Sequence, residues 1–229
     1  MRMIFQLLFY AAIGTSYRLI SDRMKEDEQV KEQENERLKS ELSFLRSQIS
    51  PHFMFNVLNS VVSLSRRKPE MVEPVVVKLS ELMRYMIYET NDSIVPILKE
   101  LTYLESYIDL QKIRFGDDIR IDFTHEIGPK SSSIEPMLLI PFVENAFKHG
   151  VGFIENPTIE IELKDSAKEL TFHVANKKGA VINEKKDESS GIGLANVKRR
   201  LELLYPNNHS LIVKESDDTF EITLTIQHA

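Results

Sequence analysis

The hydrophobic repeat of this chain changes once, and that change limits what it can fold into. From Leu38 to residue 88 apolar residues recur every three or four positions, the spacing of one helix face. Beyond "ETNDS" (residues 89–93) stretches with period two appear: "IRIDFTHE" (119–126), "TIEIELK" (158–164), "ELTFHVAN" (169–176), "SLIVKES" (210–216) and "TFEITLTIQ" (219–227). Period two is the pattern of strands with one covered face. A helical front and a strand-rich back are therefore expected.

In the front part Leu38, Leu42, Leu45 and Ile49 step by 4, 3 and 4 residues, a short heptad seam. The charged run before it (residues 21–47) reads as a helical linker with few apolar seam positions. The apolar face continues through Val57, Leu58, Val61, Val62 and Leu64 until "RRKPE" (66–70) breaks it. A second helix follows, with Val72, Val76, Leu79, Leu82, Met83 and Met86 on one side. Two such helices make an antiparallel hairpin over residues 48–92. Alone it buries little, so it is expected to pair with a second copy as a four-helix bundle, a homodimer.

The back part, residues 93–229, has a short strand candidate in "IVPI", helices over 98–115 and 137–149, and a glycine turn opening a helix at "GIGLANVKRRLELLY". The last two strands are joined by a hairpin. This suits an α+β sandwich, a mixed sheet covered on one face by helices.

Residues 3–17, "MIFQLLFYAAIGTSY", carry no charge but fall short of the run of about 20 apolar residues that spans a bilayer. Arg18, Arg23 and Lys25 follow, which by the positive-inside rule puts the later chain in the cytoplasm. Residues 1–20 read as a partial transmembrane helix, with residues from about 21 onward cytoplasmic. The net charge of −6 and the lack of a basic block argue against direct nucleic-acid binding. Without cysteine, and with six scattered histidines, a zinc site is not expected.

Three segments carry the chemistry. In "PFVENAFKHG" (141–150), Glu144, Asn145, Lys148 and His149 crowd the end of an otherwise apolar helix. An asparagine oxygen suits Mg²⁺ when phosphates supply the other ligands, and Lys148 would neutralise a phosphate. An exposed helix end whose cations offset the helix dipole is the plainer alternative. "SSGIGLANV" (189–197) opens a helix with two glycines, as backbone that approaches phosphate oxygens does, or as an ordinary turn does. Third, "SQISPHFMFNVLNS" (47–60) carries His52 directly after Pro51, which should kink the helix. Phe53 and Phe55 would anchor the bundle and leave His52 outward. A mostly neutral imidazole there is a competent nucleophile towards a phosphoryl group. Asn56, one turn on, is in reach of that group or of an attacking water. A satisfied structural histidine is the competing reading.

The order of these segments, with "RF" at 114–115 between them, resembles the bacterial sensor histidine kinases of the LytS/YehU type over about residues 38–229. The resemblance implies a dimeric phosphoacceptor hairpin followed by an ATP-binding sandwich of the GHKL class. It implies His52 as the autophosphorylated residue, Asn145 as the Mg²⁺ ligand and Glu144 as the family's acidic catalytic position beside it, polarising a water or the metal shell. Gly191, Gly193 and Leu194 correspond to the glycine box, with residues 177–190 as the ATP lid. Lys148, Arg199 and Arg200 are implied phosphate contacts. The partner implied is a response regulator with a LytTR-type DNA-binding domain.

This chain departs from the pattern of many such kinases at Asn176, which stands where an aspartate accepts from the adenine amino group. An amide oxygen also accepts a hydrogen bond, without the charge. The alternative function rests on this residue: a degenerate kinase acting as a scaffold or as a phosphatase for its regulator. Phe53 also stands where an acid follows the histidine in the commoner kinases, so no general base is assigned beside His52.

Overall fold

Two helices make the hairpin, α1 (Pro51–Arg67) and α2 (Val72–Tyr88), joined by a 3₁₀ turn over Pro69–Met71. Arg66 and Arg67 sit in the last turn of α1, where cations oppose the helix dipole. Lys68 leaves the helical region (φ −147°, ψ 71°) because the proline after it disfavours α backbone. These features come from a computed structural model that describes residues 51–88, 94–129, 132–152, 154–179 and 192–228, with Met3, Arg23, Met24, Lys31, Gln33 and Leu38. The expected transmembrane segment and linker lie outside the described residues, as does the chain upstream of Pro51 that a kink would involve. No helix among the described residues is long and apolar enough to cross a membrane. The chain divides into two units, Met1–Gln48 and Ile49–Ala229, and every element from α1 onward belongs to the second.

After the hairpin come β1 (Val95–Pro96), α3 (Ile97–Phe115), a 3₁₀ turn (Gly116–Asp118), β2 (Arg120–Ile127) and β3 (Ser133–Ile134). Next are α4 (Ile140–His149), β4 (Thr158–Asp165), β5 (Glu169–Lys177), α5 (Ile192–Leu204), β6 (His209–Glu215) and β7 (Thr219–Gln227). Gly116 ends α3 at φ +62°, a conformation that favours glycine, while its N–H donates to the Lys112 carbonyl.

The larger sheet runs β2-β4-β5-β7-β6, and β1 pairs with β3 in a separate ribbon. Only β2 and β4 are parallel, joined through α4; the other pairs are antiparallel and β6–β7 is the expected hairpin. Register puts Ile161, Val174 and Ile222 in one cross-sheet row, and Leu163, Phe172 and Leu224 in the next. All six are buried under the helices. The neighbouring row, Thr124, Glu162, His173, Thr223 and Ile212, faces the other way. This is the α+β sandwich, with one covered face.

The hairpin shares the core of the sheet domain. Phe53, Val57, Val75, Leu79 and Leu82 join a single cluster with Leu104, Tyr107, Ile108 and the inner sheet residues. Two hairpin expectations are corrected. Val75 takes the inward place assigned to Val76, which is exposed. Phe55 also lies in solvent while Phe53 is buried, because residues two apart on a helix point to nearly opposite sides.

The helix expected from residue 137 starts only at Ile140. Met137 has φ +59°, outside helical space, and both its N–H and its carbonyl bond to buried side chains, so neither enters a helix ladder. At the other end of α4, Gly150 lies against β5. A Cβ there would come within 2.6 Å of the Ala146 carbonyl oxygen and 2.7 Å of the Asn176 Cβ. Gly150→Ala is expected to destabilise the fold by about 1–3 kcal/mol through overpacking, read as a lower urea midpoint at unchanged slope.

Candidate functional site

The polar residues of α4 divide between two surroundings. Phe142, Val143, Ala146 and Phe147 fill its inner face. Asn145 and His149 are half-buried, and Lys148 is exposed. His149 is held below the usual histidine range, by burial first and then by the neighbouring Lys148 charge, so it is neutral at pH 7.

Glu144, half-buried, is aimed differently from Asn145. Burial pushes its carboxyl up to about 7, so near neutral pH it is close to half protonated. Its surroundings include the phenols of Tyr103 and Tyr107 on α3, both kept protonated by burial first and by the Glu144 charge second. Gln111 donates to the Tyr107 oxygen at 2.7 Å, and the Arg114 charge opposes the upward shift of Tyr107. Arg114 lies 4.6 Å over the Phe115 ring, and Phe115 stacks on Phe147 at 6.1 Å. Phe147 also meets Tyr107 edge-on at 6.0 Å. An acid that can take or give a proton thus sits in an aromatic wall built by α3 and α4.

The hairpin touches that same wall. Phe53 stacks on Tyr107, their centroids 4.4 Å apart, so the residue after His52 packs on the ring that neighbours Glu144. His52 is in the first described turn of α1. The orientation expected for its side chain lies outside the described residues. Asn56 is half-buried one turn on, and its backbone carbonyl accepts from the Ser60 hydroxyl at 3.0 Å.

On the sheet side Asn176 is buried at the end of β5. Its amide nitrogen donates to the Lys177 carbonyl at 2.8 Å, so the amide oxygen is the end suited to accept from a ligand. Around Gly193, in the first turn of α5, a Cβ would meet none of the described residues within 4 Å, which suits close approach of another molecule to the backbone. Leu194 is half-buried against the core. Gly191 and residues 180–190 of the expected lid lie outside the described residues. Lys178, at the start of that stretch, is tied to Glu215 at 2.7 Å and to the Ser216 carbonyl at 3.0 Å.

Two expected phosphate contacts fare differently. Arg199 is exposed, 3.9 Å from Glu202. Arg200 is buried, at 3 % exposure, and its guanidinium is committed to the protein. It donates to the Pro136 and Met137 carbonyls at 2.9 and 3.0 Å and lies 3.2 Å from the Glu135 carboxylate. The assignment of Arg200 to phosphate is therefore corrected: its donors hold the segment leading into α4. Adjacent residues of a helix point about 100° apart, and only Arg199 of this pair faces outward.

Sequence reasoning also passed over Tyr103, Tyr107 and Glu100. Their signal is a shared stripe: residues 97, 100, 103, 104, 107 and 111 recur at helical spacing, so Glu100 and Gln111 occupy positions that otherwise hold core residues.

Residues 40–119, which include His52 and all of α3, match the family model described as Histidine kinase. That match places residues 40–119 in the histidine kinase family. Sensor histidine kinase YpdA of Escherichia coli is 33 % identical over 206 residues, covering 85 % of this chain and 35 % of YpdA. Sensor protein kinase HptS of Staphylococcus aureus is 31 % identical over 134 residues, 58 % of this chain and 25 % of HptS. The chain thus spans about a third of one relative and a quarter of the other. Among solved structures, the catalytic domain of histidine kinase ThkA is similar with a TM-score of 0.45 at 15 % identity, over 59 % of this chain and 98 % of that one. The histidine kinase domain of a blue-light activated kinase from Erythrobacter litoralis also has a TM-score of 0.45, at 13 % identity, over 83 % and 94 %.

The raised Glu144 carboxyl has a consequence for stability. Between about pH 4.5 and 7 the folded chain holds more protons at this group than the unfolded chain, so its contribution falls as pH rises through that window. Glu144→Gln should remove this slope. Urea titrations of variant and parent should show the variant gaining stability relative to the parent from pH 5 to pH 8; a constant difference would contradict the shift.

Proposed function

We propose that this chain is the kinase portion of a two-component sensor that phosphorylates His52 from ATP and passes the phosphoryl group to a response-regulator aspartate. The single observation that carries the reading is the seating of Phe53 on Tyr107, which joins the His52 segment to the wall containing Glu144. A group titrating near pH 7 suits acid–base work at neutral pH, and Glu144 is the candidate to hold the proton that His52 gives up.

The described residues suit a bound nucleotide. Asn145 offers an amide oxygen to Mg²⁺, Lys148 an exposed ammonium to phosphate, and the open backbone around Gly193 a close approach. The oxygen of Asn176 suits an amino-group donor at the base end. Bound ATP–Mg²⁺ supplies the phosphoryl group; the chain's own part is positioning and charge neutralisation. An intact acceptor at Asn176 favours this reading over the degenerate scaffold or phosphatase.

A homodimer is part of the proposal. Phe55, Leu58 and Val62 recur at helical spacing along α1 and remain 65, 48 and 55 % exposed, a stripe suited to a second hairpin. Membrane attachment through residues 1–20, with the kinase on the cytoplasmic side, and a regulator of the LytTR type complete it.

Incubation of the chain with γ-labelled ATP and Mg²⁺ should give acid-labile, alkali-stable label that His52→Gln abolishes while circular dichroism is unchanged. Label persisting on the variant would rule His52 out as acceptor. Asn145→Ala should lose the Mg²⁺-dependent part of nucleotide affinity, at least about tenfold by titration. An unchanged affinity would remove it from the metal site.

A further inference from the structure

The hairpin and the helix after the glycine box are joined by a buried chain of hydrogen bonds that passes through the backbone leading into α4. At one end Tyr85 of α2 donates its hydroxyl proton to Glu100 Oε2 at 2.6 Å, its ring stacked on Tyr103 at 4.7 Å. Glu100 is fully buried, and accepts from the Met137 N–H at 3.0 Å and the Leu139 N–H at 3.3 Å. The Met137 carbonyl in turn accepts from Arg200 Nη1 at 3.0 Å, and the Pro136 carbonyl from Nη2 at 2.9 Å. A second tie runs from the Glu135 N–H to the Tyr205 hydroxyl oxygen at 3.0 Å, just beyond α5.

The left-handed Met137 is gripped on both sides, its N–H by α3 and its carbonyl by α5. Ile140, where α4 begins, is three residues further on, so the segment sets how the helix bearing Glu144 and Asn145 sits relative to α5, which bears Gly193. Tyr85 is the member of the chain that belongs to the hairpin. Because Glu100 is fully buried, movement of α2 that breaks the first bond leaves its carboxyl short of a donor, a cost felt at residues 137 and 139.

We propose that Glu100 and Arg200 are positioning residues that hold α4 and α5 in register for nucleotide, and that Tyr85 makes this register depend on the hairpin. The nucleotide part rests on the kinase reading above; the coupling between hairpin and α5 does not.

The test uses the whole chain with Tyr85→Phe, which removes one hydroxyl, and Arg200→Lys, which keeps charge but not the planar fork. Hydrogen exchange should speed up about tenfold for Tyr85→Phe in residues 139–145 and 192–200, far from the substitution in sequence. Acceleration confined to α2 overturns the coupling. In autophosphorylation, both variants should raise KM for ATP about fivefold with a smaller change in kcat, well below their melting temperatures. Lowered melting temperatures with unchanged KM and kcat would mark both residues as structural only and overturn the proposal. A parent chain that neither binds nor uses ATP would instead sink the kinase reading, and the exchange result then decides the coupling alone.

Discussion

The buried carboxylate of Glu100 is the constraint on which the arrangement of helices depends. Burial pushes its carboxyl above the usual range, while the Tyr85 hydroxyl, two backbone N–H groups and the Arg200 charge pull it back. A buried acid with these partners adds little to stability compared with an apolar residue of the same shape, but removing one partner is expensive. The network therefore specifies rather than strengthens. It brings together α2, α3, the 135–139 segment and α5 in one arrangement, and it supports a left-handed methionine that would otherwise cost about 1–2 kcal/mol. Hydrogen bonds to charged groups contribute roughly 1.5–3 kcal/mol each, enough to offset that strain.

Held in this way, α4 divides the site into two distinct halves. The half facing α3 is aromatic, and its acid is Glu144, whose carboxyl burial pushes up to about 7. The side proposed for nucleotide would draw on Asn145 and Lys148 of α4, Asn176 of β5 and the backbone around Gly193 of α5. One short helix serves both, since Glu144 and Asn145 are adjacent in sequence and so project to different sides of α4. In the proposed phosphoryl transfer Glu144 would take the proton and Asn145 would hold the metal, so one helix would carry both roles on adjacent residues.

Much of the fold is legible in the strands and little of it in the buried polar residues. Alternation along residues 158–164, 169–176 and 219–227 marks the sheet because one face is covered and the other is not. The hairpin is equally clear, yet its inward face is only partly readable: Val76 stands in for Val75, and Phe55 is grouped with Phe53. Both helices carry apolar residues on more than one side, so periodicity cannot choose between a partner in the same chain and one outside it. Arg200 misleads for a related reason: a basic residue after a glycine turn suggests phosphate, and only packing reveals that its fork is used on backbone carbonyls. The late start of α4 is likewise tertiary, because residues 137–139 have ordinary helical chemistry and lose their helix to Glu100 and Arg200.

The sheet has a layer of helices on one side only, and this shapes how the chain can vary over evolutionary time. Inward residues such as Ile161, Phe172 and Leu224 are each bound by volume to several neighbours, so a change at one demands a matching change elsewhere. Their outward neighbours Glu160, Thr171 and Thr225 meet mostly water and the strand beside them, and tolerate substitution singly. Drift should therefore run at two speeds along each strand, fast and slow at alternate positions. Overall identity between such chains then falls quickly while the architecture persists, and what survives longest is the inner row together with the few polar residues that hold the helices above it.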